Sequence, residues 1–338
     1  MTRKKRLTEG ELISSFEKVI EAHGKRAPGL VTGVGDDAAV FRGAAARDFV
    51  VTQDVQVEGS HFERRWFTGR TLGRRLASVN LSDIAAMGAR PLYGLYSLVL
   101  PADIDHGYLR QVTAGIVCRL SDYGASLVGG NVSSTTGPLT CDLTLIGDCP
   151  RGRSWHRRAR SGDAILLVGA AGEAAAGLEL LRAGEKRGRA GRLTRAYTHP
   201  EPLLDVARAL DGQSGVRGAI DVSDGLSTDL LHLCDCGQTG CEIDAGALPV
   251  SRPLAAFCRS RGADPVDWIL RGGEDYALIL AVAPRRAARV VGRIQAKTGR
   301  RAAVIGRFTR RSDGRVILYG GKRSPLRATG WDHLTSFC

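Results

Sequence analysis

The feature that most constrains the fold of this chain is a set of acidic residues inside apolar or glycine-rich segments. An isolated carboxylate costs free energy to bury unless it is paired with a cation or coordinates a metal. Carboxylate oxygens are the ligands that Mg²⁺ prefers, so a fold that joins these segments predicts a site for magnesium and phosphate. The residues are Asp36 and Asp37 in GVGDDAAV, Asp54 in VTQDVQVEGSHF, Asp83 in VNLSDIAAMGA, Asp221 and Asp224 in AIDVSDGL, and Glu274 and Asp275 in RGGEDYAL.

Each of these motifs also has a purely structural interpretation. Aspartate in a glycine-rich turn is common turn chemistry. Asp83 is a candidate helix cap, and Asp221, Ser223 or Asp224 is a candidate cap for the helix that follows. Because five such motifs occur in one chain, we favour function over turn chemistry.

The hydrophobic pattern predicts helices and strands in two domains, 1–150 and 151–338, divided near the Arg-rich turn segment 151–163. The basic segment 184–199 has no apolar period, and we expect a loop or a mobile arm there. Helices are predicted over 8–23, 70–88, 105–123 and 173–183, strands over 49–52, 93–100, 126–129, 139–147, 276–283 and AILLVG, and a strand–turn–helix in AIDVSDGLSTDLLHLC.

The formal charge of +13 is compatible with nucleic acid, an anionic membrane or small anionic substrates. No segment interleaves basic and aromatic residues as single-strand binders do, and no apolar run is long enough to span a membrane. A secretion signal has an apolar run after its basic residues, and no such run follows the basic N-terminus of this chain. We expect a cytoplasmic protein that binds neither nucleic acid nor membrane.

One cysteine cluster leaves two interpretations open. Cys234, Cys236 and Cys241 lie close to His232, and such a set is compatible with a zinc site. Small buried thiols near a helix end are the favoured alternative. The spacing alone does not decide between the two.

Gly129-Gly130-Asn131 follows a short predicted strand, and glycines there let a ligand approach the backbone closely. The chain has no GxxxxGK[ST] loop, no protein-kinase signature set, no GxSxG elbow and no HExxH helix. A nucleotide would therefore be bound by something other than a P-loop.

In their order, the motifs resemble those of the thiamine-monophosphate kinases, within the aminoimidazole-ribonucleotide synthetase-like superfamily. The resemblance implies a two-domain PurM-like fold, with an α/β N-terminal domain that dimerises through its sheet and an α+β C-terminal domain. ATP would lie between the domains, near the dimer interface. The matching segments, spread over residues 33–334, are GVGDDAAV, TQDVQVEGSHF, LASVNLSDIAAMGARP, VGGN, LTLIGDCPRGR, SGDAILLVG, AIDVSDGL, RGGEDYALIL and GWDHL.

The resemblance also implies roles for individual residues, in a direct phosphoryl transfer from ATP that uses Mg²⁺ and no covalent nucleophile. His61 would donate to the substrate phosphate, and Trp331 would stack on a thiamine ring. The implied metal site comprises Asp36, Thr52, Gln53, Asp54, Asp83, Asp221 and Asp224. The implied ATP contacts are Gly130, Asn131, Arg157 and Ser223. The implied contacts to thiamine monophosphate are His61, Glu274 and Trp331.

Three positions depart from the family pattern. Asn131 stands where the family commonly has aspartate, so an oxygen ligand is kept while a charge is lost. Gln53 replaces a small hydroxyl residue, and the run RGRSWHRRAR offers several candidates besides Arg157. Two alternatives therefore stay open: a superfamily kinase or synthase with a different acceptor, and a non-catalytic nucleotide-binding paralogue. The retained acidic positions count against the second.

Overall fold

The structure is a computed structural model that describes residues 11, 14, 29–33, 36–43, 46–185, 190–212 and 215–332. The helix predicted over 8–23 lies outside the described residues, apart from positions 11 and 14, which are helical.

The first half of the described chain forms a six-stranded sheet, in the order β1-β2-β3-β6-β4-β5. Neighbouring strands are antiparallel, except that β4 and β5 are parallel. The strands are β1 (Leu30–Thr32), β2 (Ala39–Arg42), β3 (Arg47–Val57), β4 (Arg90–Pro101), β5 (Ser126–Thr135) and β6 (Thr140–Pro150).

Two helices, α1 (Gly69–Ala86) and α2 (His106–Asp122), pack on one face of this sheet. Each begins at a side-chain cap, since Thr68 accepts from the Thr71 amide and Asp105 from the Tyr108 amide. The helices approach so closely at Gly73 that a Cβ there would clash with the Val112 carbonyl oxygen. This contact fixes α1, the helix that supplies the site described below.

The second half forms a seven-stranded sheet, in the order β13-β12-β9-β11-β7-β10-β8. Its strand β7 (Ala164–Val168) is buried along its whole length, and its residues alternate between two cores on the two faces. Helices cover both faces. The other strands are β8 (Val216–Asp221), β9 (Thr239–Asp244), β10 (Leu278–Val282), β11 (Ala302–Arg310), β12 (Arg315–Tyr319) and β13 (Lys322–Pro325).

The helices of this half are α3 (Glu173–Arg182), α4 (Ala190–Thr198), α5 (Leu204–Leu210), α6 (Leu226–Gly237), α7 (Arg252–Arg261), α8 (Pro265–Arg271) and α9 (Ala287–Thr298). Short 3₁₀ turns occur at Arg64–Trp66, Ala245–Ala247, Pro284–Arg286 and Arg311–Asp313. Ala174, Leu181 and Tyr197, on α3 and α4, complete the core of the first half, so the two halves share buried surface.

Most predicted elements are confirmed, and three differ. The loop predicted over 184–199 is wrong for residues 190–198, which form α4. Leu193 and Tyr197 lie one helical turn apart there and are buried, a pair that the surrounding arginines obscure. Strands β3 and β5 extend beyond the predicted 49–52 and 126–129, because backbone pairing with β6 and β4 continues through polar and glycine residues. None of the described helices is both long and apolar enough to cross a bilayer.

Candidate active site

Carboxylates from four segments meet where β3, the end of α1 and the end of β8 converge. One oxygen each from Asp37, Asp83 and Asp221 lies within 4.8 Å of the other two. Asp54, on β3, interacts directly with Asp83. We call these four residues the carboxylate cluster. Within the described ranges, no other set of three or more His, Cys, Asp or Glu side chains is spaced to hold a metal.

Two hydroxyl groups orient the cluster. Thr52 Oγ1 donates to Asp83 Oδ2 at 2.6 Å, which joins β3 to α1. Ser82 Oγ donates to Asp221 Oδ2 at 2.6 Å, which joins α1 to β8 in the other half of the chain. Helix α1 therefore carries residues that bond to both sheets, and the cluster lies between them.

The protein environment disfavours the charged forms of these carboxyl groups. Burial raises the pKa of Asp54 to about 6, and the charges of Asp142 and Asp37 act in the same direction. Burial, followed by the charge of Asp37, raises the pKa of Asp221 to about 8. Burial and the charges of Asp54 and Asp221 hold the pKa of Asp83 well above its usual range. A bound cation would offset both the cost of burying these carboxylates and the repulsion between them.

The two aspartates of the GDD turn make different contacts. Asp36 accepts from the Arg157 amide and contacts His156 Nδ1, both at 3.0 Å, and lies outside the group of carboxylates spaced to hold a metal. Asp37 points into the cluster and accepts from the Arg157 guanidinium at 2.6 Å. The structure therefore brings Asp37 rather than the predicted Asp36 to the other carboxylates. It also singles out Arg157 from its basic segment.

The loop after β8 is held by buried bonds and in turn holds Trp331. The amides of Asp224 and Gly225 donate to Asp229 Oδ2 at 3.1 and 3.0 Å, and Asp229 is buried. The Trp331 amide donates to the Asp224 carbonyl at 2.9 Å. A Cβ at Gly330 would clash with the same carbonyl oxygen, so glycine is required for this approach.

A cleft of about 1000 Å³ opens next to the cluster. Its walls come from both halves of the chain and include the aromatic residues Trp66, Tyr197, Trp268 and Trp331. Nine residues predicted for the site line it: Gln53, Asp54, His61, Asp83, Asp221, Ser223, Asp224, Glu274 and Trp331. Thr52 and Arg157 lie behind the cleft wall, where they bond to Asp83 and Asp37.

Gln53, Gly130 and Asn131, which were also predicted for the site, make their contacts with residues outside the carboxylate cluster. Gln53 alternates with Asp54 along β3, so its side chain lies on the opposite face, where the amide donates to both oxygens of Asp142. Gly130 and Asn131 lie on the exposed edge strand β5 and pair with Tyr96 and Ser97 of β4. A Cβ at Gly130 would clash with the Tyr96 carbonyl oxygen. Gly130 thus has a structural reason to be glycine.

The cysteine cluster is not arranged as a metal site. Cys234 and Cys241 are buried and in contact, whereas Cys236 is exposed. No group with metal-binding spacing includes them or His232 in the part of the chain that the structure describes. The alternative of small buried thiols therefore fits Cys234 and Cys241.

Known proteins match most of the chain. Family models match residues 35–149 (AIR synthase related protein, N-terminal domain) and 160–319 (AIR synthase related protein, C-terminal domain). Thiamine-monophosphate kinase of Rhodopirellula baltica is 31% identical over 304 residues, 84% of this chain and 90% of that protein. Thiamine-monophosphate kinase of Escherichia coli K12 is 32% identical over 310 residues, 90% of this chain and 92% of that protein. The chain belongs to the thiamine-monophosphate kinase family.

A solved structure of the family, AaThiL complexed with AMPPCP and TMP, is similar over its whole length. It has a TM-score of 0.84 at 29% identity, and the match covers 98% of this chain and 99% of that one. The predicted family and the predicted two-domain PurM-like fold are thereby confirmed.

The three residues predicted for the acceptor all line the cleft. The Val57 amide donates to His61 Nδ1 at 3.1 Å, so Nδ1 is the acceptor and the ring proton is on Nε2. Glu274 has a left-handed backbone (φ +66°), and its amide donates to the Ser223 carbonyl at 2.7 Å. Its carboxylate is paired with Arg75, a fully buried residue of α1.

Reasoning from the sequence missed Arg75, Ser82 and Asp229. A signal for Arg75 is present, since it shares the spacing of Leu72, Leu76 and Val79 and thus lies on the apolar face of α1. An arginine on such a face is rarely buried without a partner. No comparable signal marks Ser82 or Asp229, which resemble ordinary helix residues.

Proposed function

We propose that this protein transfers the γ-phosphoryl group of ATP to thiamine monophosphate and forms thiamine diphosphate. The observation that carries the proposal is a cleft that is lined both by members of the carboxylate cluster and by His61, Glu274 and Trp331. Similarity to AaThiL in complex with AMPPCP and TMP supports both the nucleotide and the acceptor.

We propose that the carboxylate cluster, with Asp224 beside it, holds Mg²⁺. The residues fit this ion, because the donors are all oxygens, converge from four segments and have raised pKa values that a cation would lower. Bound magnesium would neutralise the charge on the phosphates of both substrates. In this assignment Asp37 takes the role first expected of Asp36, which instead orients Arg157.

The remaining residues of the cleft position the two substrates. Phosphoryl transfer depends on in-line placement and charge neutralisation, and it needs no covalent nucleophile from the protein. His61 Nε2–H would donate to the acceptor phosphate, and Trp331 would lie against the ring. Ser223 and Arg157 would contact the nucleotide, and Arg157 lies beside the cluster through its bond to Asp37.

We also propose that the protein is a homodimer through the outward face of the first sheet. Phe49, Val55, Tyr93 and Leu95 are all at least 40% exposed on this face, and the helices pack on the other one. Val55, Asp142, Ser97 and Asn131 form one row across it. Contacts from Gly130 and Asn131 to ATP would then be made near the interface, rather than inside the cleft of their own subunit.

Two further assignments stay proposals of ours. The boundary between domains 1–150 and 151–338 is supported by family models that end at residue 149 and begin at residue 160. A cytoplasmic location is supported by the described cysteines, all of which are free thiols, as a reducing compartment would keep them.

A panel of acceptors assayed with magnesium and ATP tests the function. We expect turnover with thiamine monophosphate and none with unphosphorylated thiamine, which lacks the accepting group. Conversion of a different phosphorylated or amine-bearing acceptor, with thiamine monophosphate left untouched, would replace the named substrate. Absence of ATP turnover with every acceptor would instead favour the non-catalytic paralogue.

A further inference from the structure

Arg75 is a residue of helix α1 that contacts two lining residues of the cleft, Glu274 and His61. Its side chain is completely buried, and its guanidinium is paired with the Glu274 carboxylate. The same guanidinium donates to the Tyr197 carbonyl at 2.6 Å and to the His61 carbonyl at 3.5 Å, and it lies 4.6 Å from the centre of the Tyr197 ring. A single side chain therefore contacts two residues proposed to bind the acceptor and the helix that closes the cleft behind them.

The backbone around Glu274 needs such an anchor. Glu274 and Tyr276 both have positive φ, at +66° and +51°, a conformation that side chains other than glycine rarely adopt. Their amides donate to Ser223 and Val222, in the loop that follows Asp221. The backbone of the Glu274 segment is thus bonded to the loop that follows Asp221, and its carboxylate is paired with Arg75.

A merely structural residue at this position would not need a charge. Replacing a buried ion pair by apolar side chains of similar volume is often neutral or stabilising, so the pair is poor evidence for a role in stability. Arg75 keeps its charge in the core at the cost of a buried Nε that has no partner. The partner that receives this charge, Glu274, is one-quarter exposed and lines the cleft.

We propose that Arg75 is a positioning residue for acceptor binding, which acts by holding the Glu274 side chain in place at the wall of the cleft. The proposal rests on the function proposed above. On α1, Arg75 is two helical turns from Ser82, which bonds to Asp221. One helix thereby contacts both Glu274, through Arg75, and Asp221 of the carboxylate cluster, through Ser82.

The test is a double-mutant cycle with Arg75→Met, Glu274→Gln and both together, plus Arg75→Lys, which keeps the charge. Arg119→Met is the matched control, because Arg119 is also buried and bonds to α1 through Ser78, but contacts neither Glu274 nor His61 in the described structure and does not line the cleft. KM is measured separately for thiamine monophosphate and for ATP. Amide exchange of residues 272–276 gives a readout that needs no acceptor.

We expect Arg75→Met to raise the acceptor KM by about tenfold, the loss of roughly one charged hydrogen bond, with the ATP KM nearly unchanged. Arg75→Lys should recover part of the loss, and the double variant should match Glu274→Gln alone. Exchange over 272–276 should quicken in Arg75→Met and stay unchanged in Arg119→Met. Arg75→Gln replaces the methionine variant if that variant does not fold.

Additive effects in the double variant, an equal rise in both KM values, or unchanged exchange over 272–276 would each overturn the proposal. Failure of the proposed function looks different, because the wild-type protein would then not phosphorylate thiamine monophosphate at all. In that case the KM values of the double-mutant cycle are measured with the acceptor that the panel identifies. The amide-exchange measurement needs no acceptor and is unchanged.

Discussion

At the scale of single residues, the site depends on which carboxylate points where. The adjacent aspartates 36 and 37 are indistinguishable in the sequence, since either one satisfies a metal-binding pattern in a glycine-rich turn. Only the path of the turn sends Asp37 to Asp83 and Asp221 and leaves Asp36 with Arg157 and His156. The sequence could not predict which of the two aspartates lies close to the other carboxylates.

Asparagine substitutions separate these two roles. We expect Asp37→Asn to raise the magnesium concentration for half-maximal activity by about tenfold or more, because a charged ligand is lost. Asp36→Asn should leave that concentration unchanged and raise the KM for ATP, through Arg157. Magnesium titrations of both variants at saturating ATP provide the measurement, and the opposite ranking would return the ligand role to Asp36.

The raised pKa values predict how metal-free protein responds to pH. Asp54 and Asp221, with pKa values of about 6 and 8, keep protons in the folded state that the unfolded chain has already released. The free energy of unfolding should therefore fall as pH rises from about 4 to about 8.

Thermal melts in EDTA between pH 5 and pH 8 measure this fall, and magnesium at pH 8 should reverse part of it. The reversal is partial because Asp275, whose pKa burial raises to about 8, caps α3 away from the cluster. A melting temperature that is independent of pH, or unaffected by magnesium, would contradict the account of the cluster.

At the scale of elements, hydrophobic periodicity predicted α1, α2, α3, β7 and α6 well. It failed where tertiary contacts decide: β3 and β5 continue through polar or glycine residues because a neighbouring strand pairs with them, and α4 is stabilised by two buried side chains on an otherwise basic helix. The contact between Arg75 and Glu274 likewise could not be predicted from periodicity, because the two residues are about 200 positions apart in the sequence.

Helix α1 owes its position to the glycine contact with α2. We expect Gly73→Ala to destabilise the protein by about 2 kcal/mol or more, because the added methyl overlaps backbone that cannot move freely. Gly292→Ala is the matched control, a helical glycine with open space around it, and should stabilise slightly. Urea unfolding measures the free energy of unfolding of both variants. Equal values for the two would show that α1 and α2 can move apart without loss of stability.

At the scale of the whole molecule, the proposed homodimer depends on the outward face of the first sheet, which exposes several large apolar side chains. The row from Val55 to Asn131, with exposed Leu95 and Tyr93 beside it, fits a second copy of the chain. The sequence suggested this dimer only through resemblance, because alternation in a strand does not reveal what covers its second face.

A charge on that face tests the dimer. Leu95→Lys should reduce the mass in solution from twice 36.1 kDa to 36.1 kDa and lower the activity. Val304→Lys, at a similarly exposed position on the second sheet, should change neither. Light scattering during size-exclusion chromatography measures the mass of both variants in solution. A wild-type protein that is monomeric and fully active would contradict the proposed dimer.

The central claim joins the carboxylate cluster to phosphoryl transfer, and ³¹P NMR of a reaction with ATP, thiamine monophosphate and magnesium tests it most directly. We predict that the diphosphate resonances of thiamine diphosphate appear with the wild-type protein and only with magnesium. With folded Asp83→Asn they should appear at least about a thousandfold more slowly, as expected when a ligand that neutralises phosphate charge is lost. Transfer by Asp83→Asn at the wild-type rate would contradict the claim.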